Sequence, residues 1–272
     1  MTFQIILTAA SVAVTAAFLI YASWRDYKVR EVSNRVWVIY GPIALALSLS
    51  ELLIFEPSKL PLFGISAGFT IGLAFLLFYS GGFGGADSKA LMCIAVALPF
   101  APVILSTPLY AAGLSPTSQV IFPVTIFGNG VLFAAISAIY IVGRNVVWHR
   151  KTGKKMFTGT LAKESIGKKI LILITGYKVT VDKLKAKWHI FPMEDVEDKG
   201  ENGLERKLVV VPHDDGRDAI VERLSNAVKA GKIDNYVWAT PGLPMLIFIT
   251  AGLIVALLFG DVVWLLVRFV IG

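Results

Sequence analysis

Cysteine is nearly missing from this chain of 272 residues: there is one, Cys93, and it lies inside an apolar run. A single cysteine closes no intrachain disulfide, builds no Cys-rich zinc site and forms no CxxC redox pair. Charge is also scarce. Asp, Glu, Lys and Arg make up 17% of the residues, against roughly 25% in an average soluble domain. Apolar residues reach 56%, and mean hydropathy is +0.69. That balance argues against an ordinary soluble enzyme and against a disordered chain. No basic residue precedes the first apolar run and no A-x-A site follows it, so it does not read as a secretory signal. The 26 Lys and Arg exceed the 19 Asp and Glu by 7. These charges avoid the long apolar runs, which fits a membrane partner and not nucleic acid.

What is present is a series of membrane-length segments. A bilayer core of about 30 Å needs roughly 20 apolar residues as helix. Six runs meet that need: Phe3–Ala22, Val36–Phe55, Leu60–Ser80, Ala90–Leu109, Val120–Val142 and Leu243–Phe259. The last could extend to Ile271 across Asp261. Arg25, Lys28, Arg30 and Arg35 crowd the first connection, and residues 144–240 carry many more Lys and Arg. The positive-inside rule then places the loops after the first, third and fifth spans in the cytoplasm and both termini outside. The expected fold is an α-helical integral membrane protein with six transmembrane helices and a small α+β cytoplasmic domain between helices five and six. Residues 1–143 hold the first five spans, 144–241 the domain and 242–272 the sixth span.

Within the domain, Lys169–Thr175, Lys178–Val181 and Lys207–Pro212 are rich in β-branched residues and read as strands. Residues 215–230 place Ile220, Leu224, Ala227 and Val228 at helical spacing, with Asp214 or Asp215 as a cap. Glu194, Asp195, Glu197, Asp198, Glu201 and Glu205 crowd a stretch that Gly200 and Gly203 mark as a loop.

Ionisable groups near membrane helices are costly and therefore candidates for function. Asp26 follows the first span and Asp87 precedes the fourth. The charge map puts both on the cytoplasmic face. Two carboxylates that share a site split acid and base roles, because both cannot ionise easily at close range. One then takes a proton from water and the other donates to a scissile carbonyl, with no metal or cofactor needed. Plainer roles stand beside this one. Asp87 is placed to cap a helix, Asp26 to be a solvated loop charge, and Gly81, Gly82, Gly84 and Gly85 to serve turns or close packing. The stretch lacks the Gly-Lys-Ser/Thr ending of a phosphate loop. His149, His189 and His213 show no metal-ligand spacing, Glu51 and Glu56 flank the outer end of the second span, and Asp261 marks an end or a break in the sixth. Arg144, Arg150, Lys151, Lys154 and Lys155 read as an anchor to anionic lipid, with Trp148 in an aromatic belt.

Together these residues resemble the archaeal preflagellin and prepilin peptidases, the type IV prepilin peptidase-like GxGD membrane aspartyl proteases. Asp26 with Val32-Ser33-Asn34 resembles their first aspartate motif. Gly84-Gly85-Ala86-Asp87-Ser88-Lys89 resembles G-x-G-D-x-K, with Ala86 in place of the second Gly. The segments Lys187–Val196, with Phe191-Pro-Met-Glu-Asp195, and Val237–Asp261 are similar to the C-terminal part of the archaeal enzymes. The resemblance implies Asp26 and Asp87 as the catalytic pair, with Gly84, Gly85, Ala86, Lys89 and Asn34 in support. It implies archaellin and type IV pilin-like precursors as substrates, cut behind a short basic leader at the cytoplasmic membrane face. Bacterial relatives that also methylate the new N-terminus commonly carry a four-cysteine module, so cleavage without methyl transfer is expected here. Glu194, Asp195, Glu197 and Asp198 could attract the basic leader. A proton- or ion-coupled transporter and a non-catalytic assembly scaffold are the alternatives. A transporter calls for acids near the midplane and helices broken there, and a scaffold leaves both motifs unexplained.

Overall fold

Long apolar runs without charge leave their backbone N–H and C=O groups only each other to bond, and in a helix every such bond is made within the run. The computed structural model describes residues 2–81, 83–102, 115–198, 204–210, 216–241 and 245–271, apart from the side chains of Thr2 and Asp198. The first helices are α1 (Thr2–Val29), α2 (Asn34–Phe55), α3 (Leu60–Tyr79), α4 (Gly85–Ala97), α5 (Pro116–Val120) and α6 (Phe122–Thr152). Next come α7 (Ile166–Thr175), β1 (Tyr177–Thr180), α8 (Val181–Ala186), β2 (Ile190–Pro192), β3 (Glu194–Asp198) and β4 (Leu204–Leu208). The chain continues through α9 (Arg217–Lys229), β5 (Tyr236–Pro241), α10 (Met245–Phe259) and α11 (Val262–Ile271). It divides into two compact units, Met1–Ala134 with Pro244–Gly272, and Ala135–Leu243.

Among the described residues four helical stretches are long and apolar enough to cross a membrane: Phe3–Val29, Asn34–Phe55, Pro57–Tyr79 and Phe122–Thr152. The pair α10 and α11, bent by 66°, makes a fifth if it is one span. The expected fourth span differs. Helix α4 has 13 residues, about 20 Å at 1.5 Å per residue, short of a bilayer core. It stops because Leu98 precedes Pro99 and leaves helical geometry, with φ −134° and ψ 66°. The rest of that expected run, from 103, lies outside the described residues. The expected sixth span is broken where Gly260 turns the chain with φ +77°. Asp261 then starts α11: its Oδ1 accepts the Trp264 N–H at 2.9 Å and its Oδ2 accepts the Ser115 hydroxyl at 2.8 Å. Leu243 lies outside the described residues.

In the helical unit α4 is central. It packs on α1, α2, α3 and α10, and its Ala90, Leu91 and Ile94 are wholly buried. Small residues let the helix backbones approach. A Cβ on Gly252 of α10 would run into the Ile126 carbonyl and the Gly130 backbone of α6.

The other unit holds an antiparallel sheet of order β1-β5-β2 and a separate hairpin, β3-β4. Val237, Trp238 and Ala239 of the middle strand are fully buried. Helix α9 contributes Val221, Leu224 and Ala227 to the core beside Val179 and Leu184. Two expectations change here. Residues 169–175, expected as a strand, lie in α7. Ser165 accepts the Lys168 N–H at the start of that helix, and Asn145 closes its far end by donating to the Leu173 and Gly176 carbonyls at 3.0 and 2.7 Å. Caps and one inward-facing residue, Ile172, outweigh a β-branched composition, since strand propensity depends on context. The expected acidic loop from Glu194 is instead mostly hairpin: Glu194 to Asp198 and Leu204 to Leu208 are strands, with Glu197 opposite Glu205. Gly200, Gly203 and Glu201 lie outside the described residues. So do Asp214 and Asp215; the N-cap position of α9 is Gly216, at φ +88°.

Candidate active site

Asp26 sits in the last turn of α1, where its carbonyl accepts the Arg30 N–H at 2.9 Å. Asp87 sits in the first turn of α4, and its carboxylate accepts the Gly84 N–H at 3.1 Å. This is half of a capping box, because Gly84 has no side chain to return the bond. The capping role considered for Asp87 thus falls at the third helical position, and its second oxygen is not consumed by that bond. Both carboxylates are partly buried. Helices α1 and α4 pack on each other, and the two carboxylates lie within electrostatic reach of one another.

The motif residues gather at the same end of the unit. Lys89 Nζ donates to Asn34 Oδ1 at 2.7 Å, joining the second motif to the first. A Cβ on Gly84 would approach Asp87 Oδ2 to 3.2 Å, so a side chain there would press on the carboxylate. Ala86 lies inside α4 and packs against the core. It is not among the residues with positive φ, so alanine fits where the related motif has glycine.

Three neighbours were not visible as site residues in the sequence. Arg30 lies within electrostatic reach of both carboxylates. It has φ +54° and is the one non-glycine with positive φ among the described residues, a conformation that costs roughly 1–2 kcal/mol. The Leu246 N–H, in the first turn of α10 and without a helical partner, lies near the Asp87 carboxylate. Ser23 donates to the Leu246 carbonyl at 2.9 Å and shares a 2.7 Å hydrogen bond with Thr250, which fastens α10 to α1. The one sequence signal for this was Ser23 itself, a hydroxyl in an apolar run three residues before Asp26.

In the other unit the acids expected at a leader are occupied. Glu194 is wholly buried; its Oε1 accepts from Arg206 Nη2 at 2.7 Å, and Lys178 lies 3.9 Å away. Asp195 is buried and takes two bonds from Arg223, at 3.1 and 2.8 Å. Glu197 pairs with Lys207. The Asp198 side chain lies outside the described residues. Burial pushes the Lys178 ammonium down to about 8, against the pull of Glu194. Among the histidines, His149 Nδ1 bonds the Lys154 carbonyl at 2.7 Å, and His213 lies outside the described residues. Among the described residues no three His, Cys, Asp or Glu side chains converge.

Two family profiles match the chain: the type IV leader peptidase family over residues 13–142, and the archaeal peptidase A24 C-terminus, type II, over 168–262. A preflagellin peptidase of Methanococcus voltae is 29% identical over 254 residues, 89% of this chain and 92% of its own. A preflagellin peptidase of Methanococcus maripaludis is 26% identical over 250 residues, with the same coverage of both chains. With one profile across the helices that bear Asp26 and Asp87 and the archaeal one across the domain and helix that follow, the chain is similar to the type IV leader peptidases over most of its length.

Proposed function

We propose that this protein is a membrane aspartyl endopeptidase that removes the short basic leader from precursors of archaellins and type IV pilin-like proteins. What supports the reading is the packing of α1 on α4, with one carboxylate in the last turn of α1, one in the first turn of α4, and the two within electrostatic reach. In this mechanism the pair holds one proton. The ionised carboxylate takes a proton from water as the water oxygen attacks the scissile carbonyl. The protonated carboxyl donates to the carbonyl oxygen, and collapse of the tetrahedral intermediate delivers a proton to the leaving nitrogen. The Leu246 N–H and Arg30 bias which carboxylate carries charge.

The chain is read as crossing the membrane six times, α4 belonging to the fourth crossing and the bent α10–α11 pair to the sixth. Both termini are outside and the aspartates at the cytoplasmic face, where an apolar precursor helix in the bilayer would present its leader. Cleavage proceeds without methylation of the new N-terminus. Glu194 and Asp195 hold their own domain together and are not assigned to the leader. Asp26→Asn and Asp87→Asn are each expected to abolish cleavage of a co-expressed precursor, with membrane insertion unchanged. Near wild-type cleavage by either variant would refute the pair.

A further inference from the structure

The unit of residues 135–243 contains a second built site. A pocket of about 210 Å³ is lined by Trp148, Lys154, Lys155, Lys178, Arg206 and Tyr236, together with Thr158 and Asp234. Four of these side chains are cationic. Asp234 answers Lys154 at 2.5 Å, and Glu194, outside the lining, answers Arg206 at 2.7 Å and Lys178 at 3.9 Å. Two acids against four cations leave an excess of positive charge at the cavity. Aromatic faces hold part of it: Lys154 lies 5.3 Å from the Tyr236 ring centre and Lys178 4.8 Å from that of Trp238.

Two donors in this lining lack partners. Arg206 has a side chain only 10% exposed, and its Nε–H meets no acceptor among the described residues. The Trp148 indole N–H is buried and equally unmatched. Buried donors left unmade are expensive, on the order of 1–3 kcal/mol each, so native structures rarely keep two in one lining without something to accept from them. Glu194 Oε2 beside them is unmatched as well among the described residues, so it is the lining charge that selects the ligand: four cations against two acids favour an anion.

We propose that this pocket binds a phosphate group, as a monoester or diester. A compact anion with several acceptor oxygens suits a lining of N–H donors, and guanidinium and ammonium groups neutralise it. Asp and Glu side chains of a peptide would meet the same cations with fewer oxygens. A phosphate could come from a lipid headgroup or from a dissolved compound. Trp148 stands six residues beyond Val142, the end of the apolar run on α6, about 9 Å further along the helix. On the proposed membrane reading the pocket then lies at headgroup depth, which favours the lipid.

The test uses the full chain and two sources of phosphate. In detergent micelles, inorganic phosphate is titrated against chloride at matched ionic strength, followed by calorimetry and by the unfolding midpoint. In nanodiscs, the midpoint is compared between phosphatidylglycerol and phosphatidylcholine. Saturable binding or an upward shift is expected for the wild type in at least one arm, weakened at least tenfold or lost in Lys155→Glu and to a lesser extent in Lys155→Gln. Both variants should cleave precursor as the wild type does, which separates this site from the peptidase reading. A response in nanodiscs alone assigns the lipid, and a response to free phosphate without lipid preference assigns a dissolved compound. If wild type and both variants behave alike in both arms, the pocket is not a phosphate site. If Lys155→Glu unfolds before any addition, the Lys155→Gln comparison decides.

Discussion

The two units treat acidic groups in opposite ways. In the unit of residues 135–243, the buried acids are tied to cations: Glu194 to Arg206 and Lys178, Asp195 to Arg223. In the helical unit, Asp26 and Asp87 make no ion pair among the described residues, and the bond resolved for the Asp87 carboxylate comes from a backbone N–H. A carboxylate locked to a guanidinium holds its proton state and holds the fold. A carboxylate faced by another carboxylate and by helix N–H groups keeps a proton in play. The same residue types therefore serve structure in one unit and, on the proposed reading, chemistry in the other.

The largest test of that contrast is chemical. Asp87→Asn keeps the Gly84 cap geometry but removes a proton-transfer group, so cleavage should fall by roughly 10²–10⁴-fold or more, measured as precursor processed per unit of membrane-inserted enzyme. The counterpart is Arg206→Met, which strands Glu194 in the interior. It should cost about 3–5 kcal/mol, read as faster hydrogen exchange in β1 and β5. If Arg206→Met left that exchange unchanged, the pairs would not be structural and the contrast would fail. Next in size is Gly252→Ala, whose new Cβ meets the Ile126 carbonyl. A cost of about 1–3 kcal/mol is expected, seen as a lower unfolding midpoint in detergent.

Charge on Lys178 sharpens the comparison through pH. Burial, the main cause, pushes Lys178 down to about 8, while in an unfolded chain lysine titrates near ~10.4. Below about 8 the side chain is charged in both states and its burial cost is fully present. Between the two values the unfolded chain binds more protons, so stability rises with pH, by up to about 3 kcal/mol across the interval. Lys178→Met should flatten that rise in a series of melts from pH 7 to 10.

Sequence pattern reached some of this and not the rest, for physical reasons. The runs that became α1, α2, α3 and α6 are uniformly apolar, and a bilayer leaves such runs little choice but helix. The short α4 and the bend at Gly260 depend on one proline and one positive φ, which a hydropathy window averages away. Asp26 and Asp87 stood out because each is an isolated acid beside an apolar run. Arg30 and the Leu246 N–H did not, since a charge in a basic loop and a backbone group carry no compositional mark. In the other unit, α7 went unread because its caps lie outside the β-branched run. The β3-β4 hairpin went unread because its acids look like a solvated loop until Arg206, Lys207 and Arg223 are brought across to them.

The smallest effect belongs to Glu197, and it tests the contrast from the other side. Its partner Lys207 and Glu197 itself have side chains 46% and 48% exposed, where water screens the pair and both long side chains lose freedom to hold it. Exposed pairs of this kind contribute about 0–1 kcal/mol. Glu197→Gln should therefore move the unfolding midpoint by little more than the error of a melt. Cleavage of a precursor with a basic leader should stay within about twofold, since one exposed charge contributes under about 1 kcal/mol to a peptide contact. A tenfold rise in KM at unchanged kcat would show instead that this strand meets the leader. The acids of the hairpin would then join Asp26 and Asp87 as part of the substrate path, and the division of labour between the two units would have to be redrawn.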